Sequence, residues 1–404
     1  MRGFLSSMSR WIVEKTENTI FIDTHKTHPC AFTRNRILSF QKVILMKLDT
    51  VKQSNNDTIF NISREVFREK PVARQSFEEA RNKISYTAFR ELFQDTVQHA
   101  MEVPDMKLYK NYRLLAIDGS TLPLPKSQEL SDVFGKSTPV AGSTYCRISF
   151  CADVLNQFLF DGEIAGYDVG ERRLALRHLE NVTCENALFL FDRGYWSAEL
   201  IEKICNSGRK FLMRIPSNGV NAVTKSKESA GRFDLNGHRL RFYKFRLKSG
   251  EMEFLVTNLG SDQVSNTELE TLYALRWGVE TRYNEFKNQI KAMHFSGKSE
   301  QVVKQDFYAY LTVMNLIASA IYDAEELVSA SREGKDLKYQ YKVNKSSAIN
   351  ILKTRYLRAA VEADTQKQKR LFARLVADIA ARVVPIRPNR HFERHIYTGK
   401  RRKA

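Results

Sequence analysis

The 404-residue sequence lacks the features that mark secreted, membrane-spanning and disulfide-stabilised proteins. Its five cysteines are odd in number, are widely spaced and form no C-x-x-C pair, which argues against a disulfide framework or a zinc ribbon and favours reduced thiols. The longest apolar run, Leu311 to Tyr322, is too short to span a bilayer and contains Asn315. The first residues contain no apolar stretch of signal-peptide length, so we expect a cytoplasmic protein without a membrane partner.

Two common phosphate-binding and nucleophile motifs are also missing. No G-x-G occurs, so neither a dinucleotide-binding fingerprint nor a phosphate loop can be drawn. No G-x-S-x-G occurs, which removes the usual nucleophile turn of a serine hydrolase. The sequence therefore argues against nucleotide-dependent enzymes and serine hydrolases.

Positive charge, in contrast, is abundant, since the formal net charge is +18 at pH 7. Residues 331–404 hold 20 Lys and Arg against 6 Asp and Glu, a surplus of 14. Such a surplus favours binding to a polyanion, and without a membrane segment it indicates nucleic acid. Aromatic residues lie between these charges, at Tyr341, Tyr356, Phe372 and Tyr397. We expect this region to touch phosphates, although a solvated surface would have a similar composition.

Periodicity divides the chain into helical and mixed segments. Ala73 to Ala100 reads as two helices with a short break at "ISYT", which fits either a helix-turn-helix or a plain helical hairpin. Ala187 to Pro216 reads as a buried strand, a polar turn, an amphipathic helix and another strand. Ser217 to Leu259 is basic and alternates as β-strands do, and a long proline-free helical region begins near Asn266.

Two carboxylates follow apolar strands, Asp118 after "LLAI" and Asp192 after "ALFLF". Side chains at strand ends are supported by a rigid core yet open to a ligand, as hard divalent cations require. A single such aspartate is more often a turn or helix-cap residue. A third acid, Glu280, completes a set that could hold two metal ions about 4 Å apart for phosphodiester chemistry.

Glu280 lies within the stretch "YALRWGVETRYNEFK", where polar groups recur at unusual offsets. On a continuous helix of about 100° per residue, offsets of three, seven and fourteen fall within roughly 60° of one another. The four residues with these offsets are Tyr273, Arg276, Glu280 and Lys287. A polar stripe this narrow indicates that it faces a polar ligand, and we expect Arg276 and Lys287 to bind phosphates beside bound metal.

These residues match Y-x2-R-x3-E-x6-K at every position, and the stretch resembles the signature of a large family of bacterial insertion-sequence transposases with a DDE triad, the insertion-sequence-four type. "AIDGS" and "LFDRGYWSAELIEKICNSGRKFLMRIP" resemble the blocks that carry the family's two aspartates. The resemblance covers roughly Tyr112 to Ala318. It implies an α/β fold with a ribonuclease-H-like core, a β-rich insertion, and helical N- and C-terminal regions.

The resemblance also implies the activity and its partners. It implies a cytoplasmic, nucleoid-associated transposase that cuts and joins double-stranded DNA at terminal inverted repeats and at the target, within a homodimer. Two Mg²⁺ ions, or Mn²⁺ in their place, would be held by Asp118, Asp192 and Glu280. The residues that would contact phosphate are Tyr273, Arg276, Lys287 and Arg193. The implied regions are a helical DNA-binding part (1–108), the core (109–216 and 263–325), the insertion (217–262) and a basic helical part (326–404).

The predicted insertion departs from some relatives, which place a tryptophan there to stack a flipped base. Residues 217–259 contain no tryptophan, and the nearest are Trp196 and Trp277. Aromatic residues that could replace it are Phe242, Tyr243 and Phe245. The sequence thus leaves open whether excision passes through a DNA hairpin.

Two other functions remain to be weighed against transposition. A glycosidase also uses two carboxylates, but it would explain neither the Arg276 and Lys287 stripe nor the cationic C-terminal region. A DNA-binding protein derived from a transposase would keep the charge and the fold without turnover. The complete set of three acids argues against this second alternative.

Overall fold

The computed structural model describes residues 3–50, 56–103, 105–135, 143–247, 250–290 and 295–387. This part of the chain forms an α/β structure with one eight-stranded sheet, a two-stranded sheet and many helices. The strands are β1 Arg113–Pro123, β2 Tyr145–Asp153, β3 Leu159–Gly166, β4 Ala187–Phe191, β5 Lys210–Ile215, β6 Ala230–Leu235, β7 His238–Arg246, β8 Met252–Thr257, β9 Gln340–Val343 and β10 Val383–Ile386. The helices of the N-terminal half are α1 Phe4–Glu17, α2 Thr19–His25, α3 Phe40–Thr50, α4 Asn56–Asn61, α5 Arg74–Arg81, α6 Tyr86–Met101, α7 Gln128–Phe134 and α8 Glu171–Asn181. The remaining helices are α9 Ala198–Asn206, α10 Asn221–Thr224, α11 Asn266–Leu275, α12 Gly278–Asn284, α13 Glu300–Ala330, α14 Lys345–Ala360 and α15 Thr365–Ala380.

The large sheet has the strand order β3-β2-β1-β4-β5-β8-β7-β6. Strands β1, β4 and β5 are parallel, while β2 and β3 on one side and β8, β7 and β6 on the other pair antiparallel. The predicted β-rich insertion is therefore a continuation of the central sheet, because β8 pairs directly with β5. Every residue of β4 is apolar and buried, as expected for a central parallel strand covered on both faces.

Helix α13 is the longest helix, and most of its side chains are buried on all sides. A helix that is apolar all round belongs in the interior of a protein. Among its buried polar residues, Asn315 is satisfied because its amide bonds both main-chain groups of Leu159 and the hydroxyl of Thr96. Among the described residues, no helix combines the length and the apolarity that crossing a membrane requires.

The N-terminal helices are joined to α13 by a buried ionic cluster around Arg81. The Arg81 side chain is fully buried, and its Nη2 lies 2.5 Å from an Asp306 oxygen that Lys47 also contacts at 2.5 Å. Although burial alone would raise the pKa of Asp306, Arg81 and Lys47 together hold it below its usual value. Burial, and then the charge of Arg81, lowers the pKa of Lys47 to about 8.

The helical region after Asn266 differs from the expected continuous helix. Helix α11 ends at Leu275, α12 begins at Gly278, and residues Glu285–Gln289 form a π-helical turn. The π turn is held from two sides, since Arg282 pairs with Glu285 and Lys345 of α14 contacts the same carboxylate at 2.9 Å. Lys353 of α14 also donates to the Gln289 carbonyl.

The predicted phosphate-contacting tail is, over its described part, a folded helical layer. Tyr356 and Phe372 are buried and contact each other edge to face, so these two rings are core residues that cannot interleave with phosphates. Tyr341 lies against the guanidinium of Arg332. Tyr397 lies outside the described residues. The helices of this layer, α14 and α15, instead expose bases such as Lys369 on their outer surfaces.

Candidate active site

The two aspartates lie on adjacent parallel strands, at the level where the pairing of β1 with β4 ends. Asp192 directly follows β4 as expected, but the expectation that Asp118 ends its strand is wrong, because β1 continues to Pro123 in its pairing with β2. Ala116 of β1 is opposite Leu190 of β4, and each aspartate follows two residues later on its own strand. Neighbouring strands are about 4.8 Å apart, so Asp118 and Asp192 lie at the same level of the sheet and in close proximity. Both side chains are half-buried.

Tyr273 and Arg276 bring the end of α11 to these aspartates. The Tyr273 hydroxyl donates to Asp192 Oδ1 at 3.2 Å. Arg276 is 3% exposed and lies between the rings of Tyr273 and Trp277, at 5.7 Å and 4.8 Å from their centres. Burial would lower the pKa of Arg276, but Tyr273 and the carboxylates of Asp192 and Asp118 raise it overall. The guanidinium therefore supplies the positive charge of this site.

Glu280 joins the same group of charges through Arg276. Its Oε1 lies 3.6 Å from Arg276 Nη2, an i,i+4 pair across the break between α11 and α12. The charge of Glu280 also acts on Asp118. The residues that the structure describes contain no group of three or more His, Cys, Asp or Glu side chains already arranged around a metal position. Glu280 thus belongs to the same electrostatic neighbourhood as the aspartates, and Arg276 is its ion-pair partner.

Asp118 has a strongly perturbed acidity. Burial raises the pKa of Asp118 to about 6, while the Gly119 N–H and Arg276 oppose the rise and Glu280 and Glu171 add to it. Glu171 packs over Gly119, where a Cβ would lie only 2.8 Å from its Cγ. Gly119 is therefore required for the close approach of a fourth carboxylate, which pairs with Arg147 at 2.9 Å.

Lys287 reaches the site from the π turn. Its Nζ donates to Ser120 Oγ at 2.5 Å, two residues beyond Asp118. Burial lowers the pKa of Lys287, and the nearby Asp118 carboxylate partly offsets this effect. A π turn adds one residue to a helical turn, so Lys287 does not hold the angle that a straight helix would give it. Arg193, in the turn after Asp192, is exposed.

The register of the sheet places the aromatic candidates of the insertion. Phe191 is opposite Met213, Arg214 is opposite Leu255, and Leu255 is opposite Tyr243. Asp192, Arg214, Leu255 and Tyr243 thus form one row across four strands, with side chains on one face. Phe245 shares this face and stacks on Tyr243 at 5.6 Å.

Phe242 points to the opposite face of the sheet, because side chains alternate along a strand. Its ring is buried and packs against Phe233. Of the three aromatic residues named from the sequence, Phe242 is therefore unsuited to stacking a base, while Tyr243 and Phe245 stay partly accessible on the face of Asp192.

Sequence reasoning missed the residues that support the site from neighbouring elements. Glu171, Ser120 and Tyr283 all touch the segment around Asp118. Ser120 and Tyr283 lie within the quoted motifs "AIDGS" and "YALRWGVETRYNEFK", but the motifs gave neither residue a role, and Glu171 lies outside them. Ser120 and Tyr283 gave no signal, since their contacts depend on tertiary structure.

Comparisons with known proteins agree with this geometry. Residues 109–316, slightly more than half of the chain, match the family model described as transposase DDE domain. The transposase InsG for insertion sequence element IS4 from Escherichia coli strain K12 is 21% identical over 267 residues. That match covers 61% of this chain and 60% of the relative's own length.

A solved structure shows the same fold. The cryo-EM structure of the piggyBac transposase synaptic complex with hairpin DNA matches with a TM-score of 0.50 at 13% identity. The match covers 91% of this chain and 85% of that chain. This likeness confirms the predicted ribonuclease-H-like α/β fold with helical regions at both ends. The chain belongs to the transposase DDE domain family, and the expected resemblance to transposases of the insertion-sequence-four type is confirmed.

Proposed function

We propose that this transposase cuts and joins DNA strands at the ends of an insertion sequence, with Asp118, Asp192 and Glu280 as its metal-binding acids. The observation that carries the proposal is the convergence of Tyr273 and Arg276 on the two aspartates, with Glu280 paired to the same arginine.

The chemistry of the donors fits divalent metal. Three carboxylates supply the hard oxygen ligands that Mg²⁺ and Mn²⁺ prefer. Burial raises the pKa of Asp118, and the carboxylates of Glu280 and Glu171 add to the rise, so a bound cation would favour the ionised form of Asp118. Two bound ions would stabilise charge on the attacking and leaving oxygens of a phosphodiester. We propose Mg²⁺, two ions, as the natural complement.

Several basic groups of the chain would hold the DNA backbone beside these acids. Arg276 Nε is buried and has no hydrogen-bond partner among the described residues, so the protein does not bond the guanidinium fully, and its charge would attract a DNA phosphate held beside the acids. Lys287 offers a point charge near Asp118, and Arg193 offers an exposed one beside Asp192. Tyr273 would act through its contact with Asp192.

We propose double-stranded DNA, as transposon ends and as target, for the partner, and a homodimer for the active complex. The net charge of +18 supports binding to DNA, and the solved relative is named as a synaptic complex with hairpin DNA. The helical region 1–108 and the basic surface of residues 326–404 are the proposed additional DNA contacts, in a nucleoid-associated bacterial protein. Tyr243 and Phe245 are the proposed base-stacking pair.

A strand-cleavage assay tests the proposal. The purified protein, incubated with Mg²⁺ and a DNA fragment that carries the terminal repeats from its own flanking sequence, should nick that fragment and not a scrambled one. Asp192→Asn should abolish nicking while it leaves end binding intact. Asp234→Asn is the matched control, because Asp234 is an exposed strand aspartate on β6, far along the sheet from Asp192.

Two results would contradict the proposal. Nicking by Asp192→Asn at the rate of the unchanged protein would show that the wrong acid was assigned. Tight binding to the ends without nicking in Mg²⁺ or Mn²⁺ would favour the alternative, a DNA-binding protein derived from a transposase.

A further inference from the structure

The main-chain carbonyl of Asp118 is held by two side-chain hydroxyls. Ser149 Oγ donates to it at 3.0 Å, and Tyr283 Oη donates to it at 2.6 Å. Tyr283 Oη also accepts from the N–H of Phe150, the residue opposite Asp118 in the β1–β2 pair. The tyrosine hydroxyl thus bridges the main chains of the two strands, and side chains set the position of Asp118.

Behind Ser149 lies a line of buried hydrogen bonds. His178 Nε2 is 2.9 Å from Ser149 Oγ, and His178 Nδ1 is 2.7 Å from Asp161 Oδ2. Ser149 and His178 are fully buried and Asp161 is 6% exposed. These residues come from β2, α8 and β3, and Asn181 donates a further bond to the same Asp161 oxygen at 3.0 Å. Because no substrate can reach Ser149, this Ser–His–Asp set is not a hydrolytic triad.

Counting protons shows how His178 governs Ser149. A serine hydroxyl has one proton, so Ser149 can donate either to the Asp118 carbonyl or to His178 Nε2. The bond to Asp118 therefore requires that His178 Nε2 carry a proton and donate to Ser149. His178 Nδ1 and Asp161 then share a second proton, because two bare acceptors 2.7 Å apart would repel each other.

We infer that Asp161, His178 and Ser149 are positioning residues, which fix the main chain of Asp118 and so aim its carboxylate at the metal position. This inference rests on the proposed function, in which Asp118 binds metal. Ser149 contacts only the main chain of Asp118, and His178 and Asp161 act through Ser149. Displacement of Asp118 by a fraction of an ångström would cost rate steeply, since misplacement of about 1 Å can cost 10²-fold.

Ser149→Ala tests the inference against a matched control. Ser319→Ala also removes a fully buried hydroxyl that donates to a main-chain carbonyl, that of Leu316, but on α13 and outside this line of bonds. Both variants should melt at similar temperatures. Only Ser149→Ala should lower the cleavage rate, by about 10- to 100-fold. Ser149→Thr, which keeps the hydroxyl, should recover most of that loss.

A second readout does not depend on cleavage. The affinity of the DNA-free protein for Mn²⁺ alone, measured from the electron paramagnetic resonance signal of free Mn²⁺, should weaken in Ser149→Ala and stay unchanged in Ser319→Ala. His178→Gln keeps an N–H that can reach Ser149 but loses Asp161, so its affinity should be intermediate. His178→Gln also decides the matter if Ser149→Ala does not fold.

The outcomes separate the two proposals. If the unchanged protein cuts DNA, and Ser149→Ala cuts and binds Mn²⁺ as well as Ser319→Ala, the positioning role is overturned while the proposed function stands. If the unchanged protein binds Mn²⁺ but does not cut, the proposed function fails and the Mn²⁺ affinity alone decides the positioning role. If it neither cuts nor binds Mn²⁺, both proposals fail.

Discussion

Two buried arginines of this protein lie beside carboxylates, and they differ in how fully they are bonded. Every nitrogen of the Arg81 guanidinium has a hydrogen-bond partner within the protein, including the buried Asp306. Arg276, almost as deeply buried, makes one long ion pair at 3.6 Å, and its Nε has no partner in the described part of the chain. A fully satisfied buried charge stabilises a fold, whereas an unsatisfied one costs stability unless a ligand completes it. The first arginine holds the N-terminal helices in place, and the second fits a binding site.

The largest effect should follow from breaking the satisfied cluster. Arg81→Ala leaves Asp306 and its remaining partners buried, so the free energy of unfolding should fall by about 3–5 kcal/mol. Arg74→Ala, which removes an exposed arginine whose nearest acid is 3.9 Å away, should cost only about 0–1 kcal/mol. Denaturant unfolding measures both changes. Equal stability of the two variants would show that the bonds of Arg81 do not stabilise the fold.

Arg276→Ala should show the reverse pattern. The melting temperature should stay near that of the unchanged protein, while strand cleavage falls by about 10²-fold or more, the scale of one lost transition-state contact. Arg276→Lys should recover little, because an ammonium cannot reproduce a planar fork. Gel assays of cleavage with thermal melts measure the two effects. A stable Arg276→Ala variant with full activity would show that the open guanidinium edge has no ligand.

Burial of the Asp118 carboxylate should make the free energy of unfolding depend on pH. The pKa of Asp118 is raised from 3.8 to about 6, mainly by burial. Its favourable contribution to stability is therefore complete below pH 3.8 and is lost as the pH rises through about 6. In metal-free protein, Asp118→Asn should gain about 1–3 kcal/mol relative to the unchanged protein between pH 4 and pH 8.

Denaturant unfolding in a chelator at several pH values measures this gain. Asp234→Asn, at an exposed position, is the control and should show no such trend. A pH-independent difference for Asp118→Asn would mean that this carboxylate is not destabilised by burial.

The smallest effect should follow from replacing exposed arginines and lysines of the C-terminal region, and it should appear in the affinity for DNA. Lys369, Arg370 and Arg374 lie on the outer surface of α15, and their combined replacement by Ala should leave folding intact. If they contact DNA phosphates, the slope of log affinity against log salt should fall by up to about three. Deletion of residues 331–404 is a poor test, because it would also remove core residues such as Phe372. An unchanged slope would show that these three side chains do not contact DNA phosphates.

Local sequence patterns predicted the parts of the site that depend on a single element. The apolar run before Asp192 predicted a buried strand whose next residue is open to a ligand, and β4 confirms this strand. The break at "ISYT" predicted the boundary between α5 and α6, which Ser85 caps.

Features that depend on tertiary contacts could not be predicted from these local patterns. A straight helix was the natural expectation for the segment from Tyr273 to Lys287, since it contains no proline and one glycine. The π turn depends on Arg282, on Lys345 and on Lys353, and the latter two lie more than fifty residues later in the chain. The aromatic residues of the C-terminal region were misassigned for another reason. The surplus of positive charge suggested phosphate contacts, but Tyr356 and Phe372 belong to the buried apolar sides of α14 and α15.

The continuous sheet also sets a fixed spacing between two sites. Tyr243 lies three strand positions from Asp192 along the order β4-β5-β8-β7, and each interstrand step is about 4.8 Å, so the lateral separation is roughly 14 Å. Main-chain hydrogen bonds join every strand in between, so the spacing cannot adjust independently of the fold. If a base stacks on Tyr243 and Phe245 as proposed, the fold alone fixes how far that base lies from Asp192.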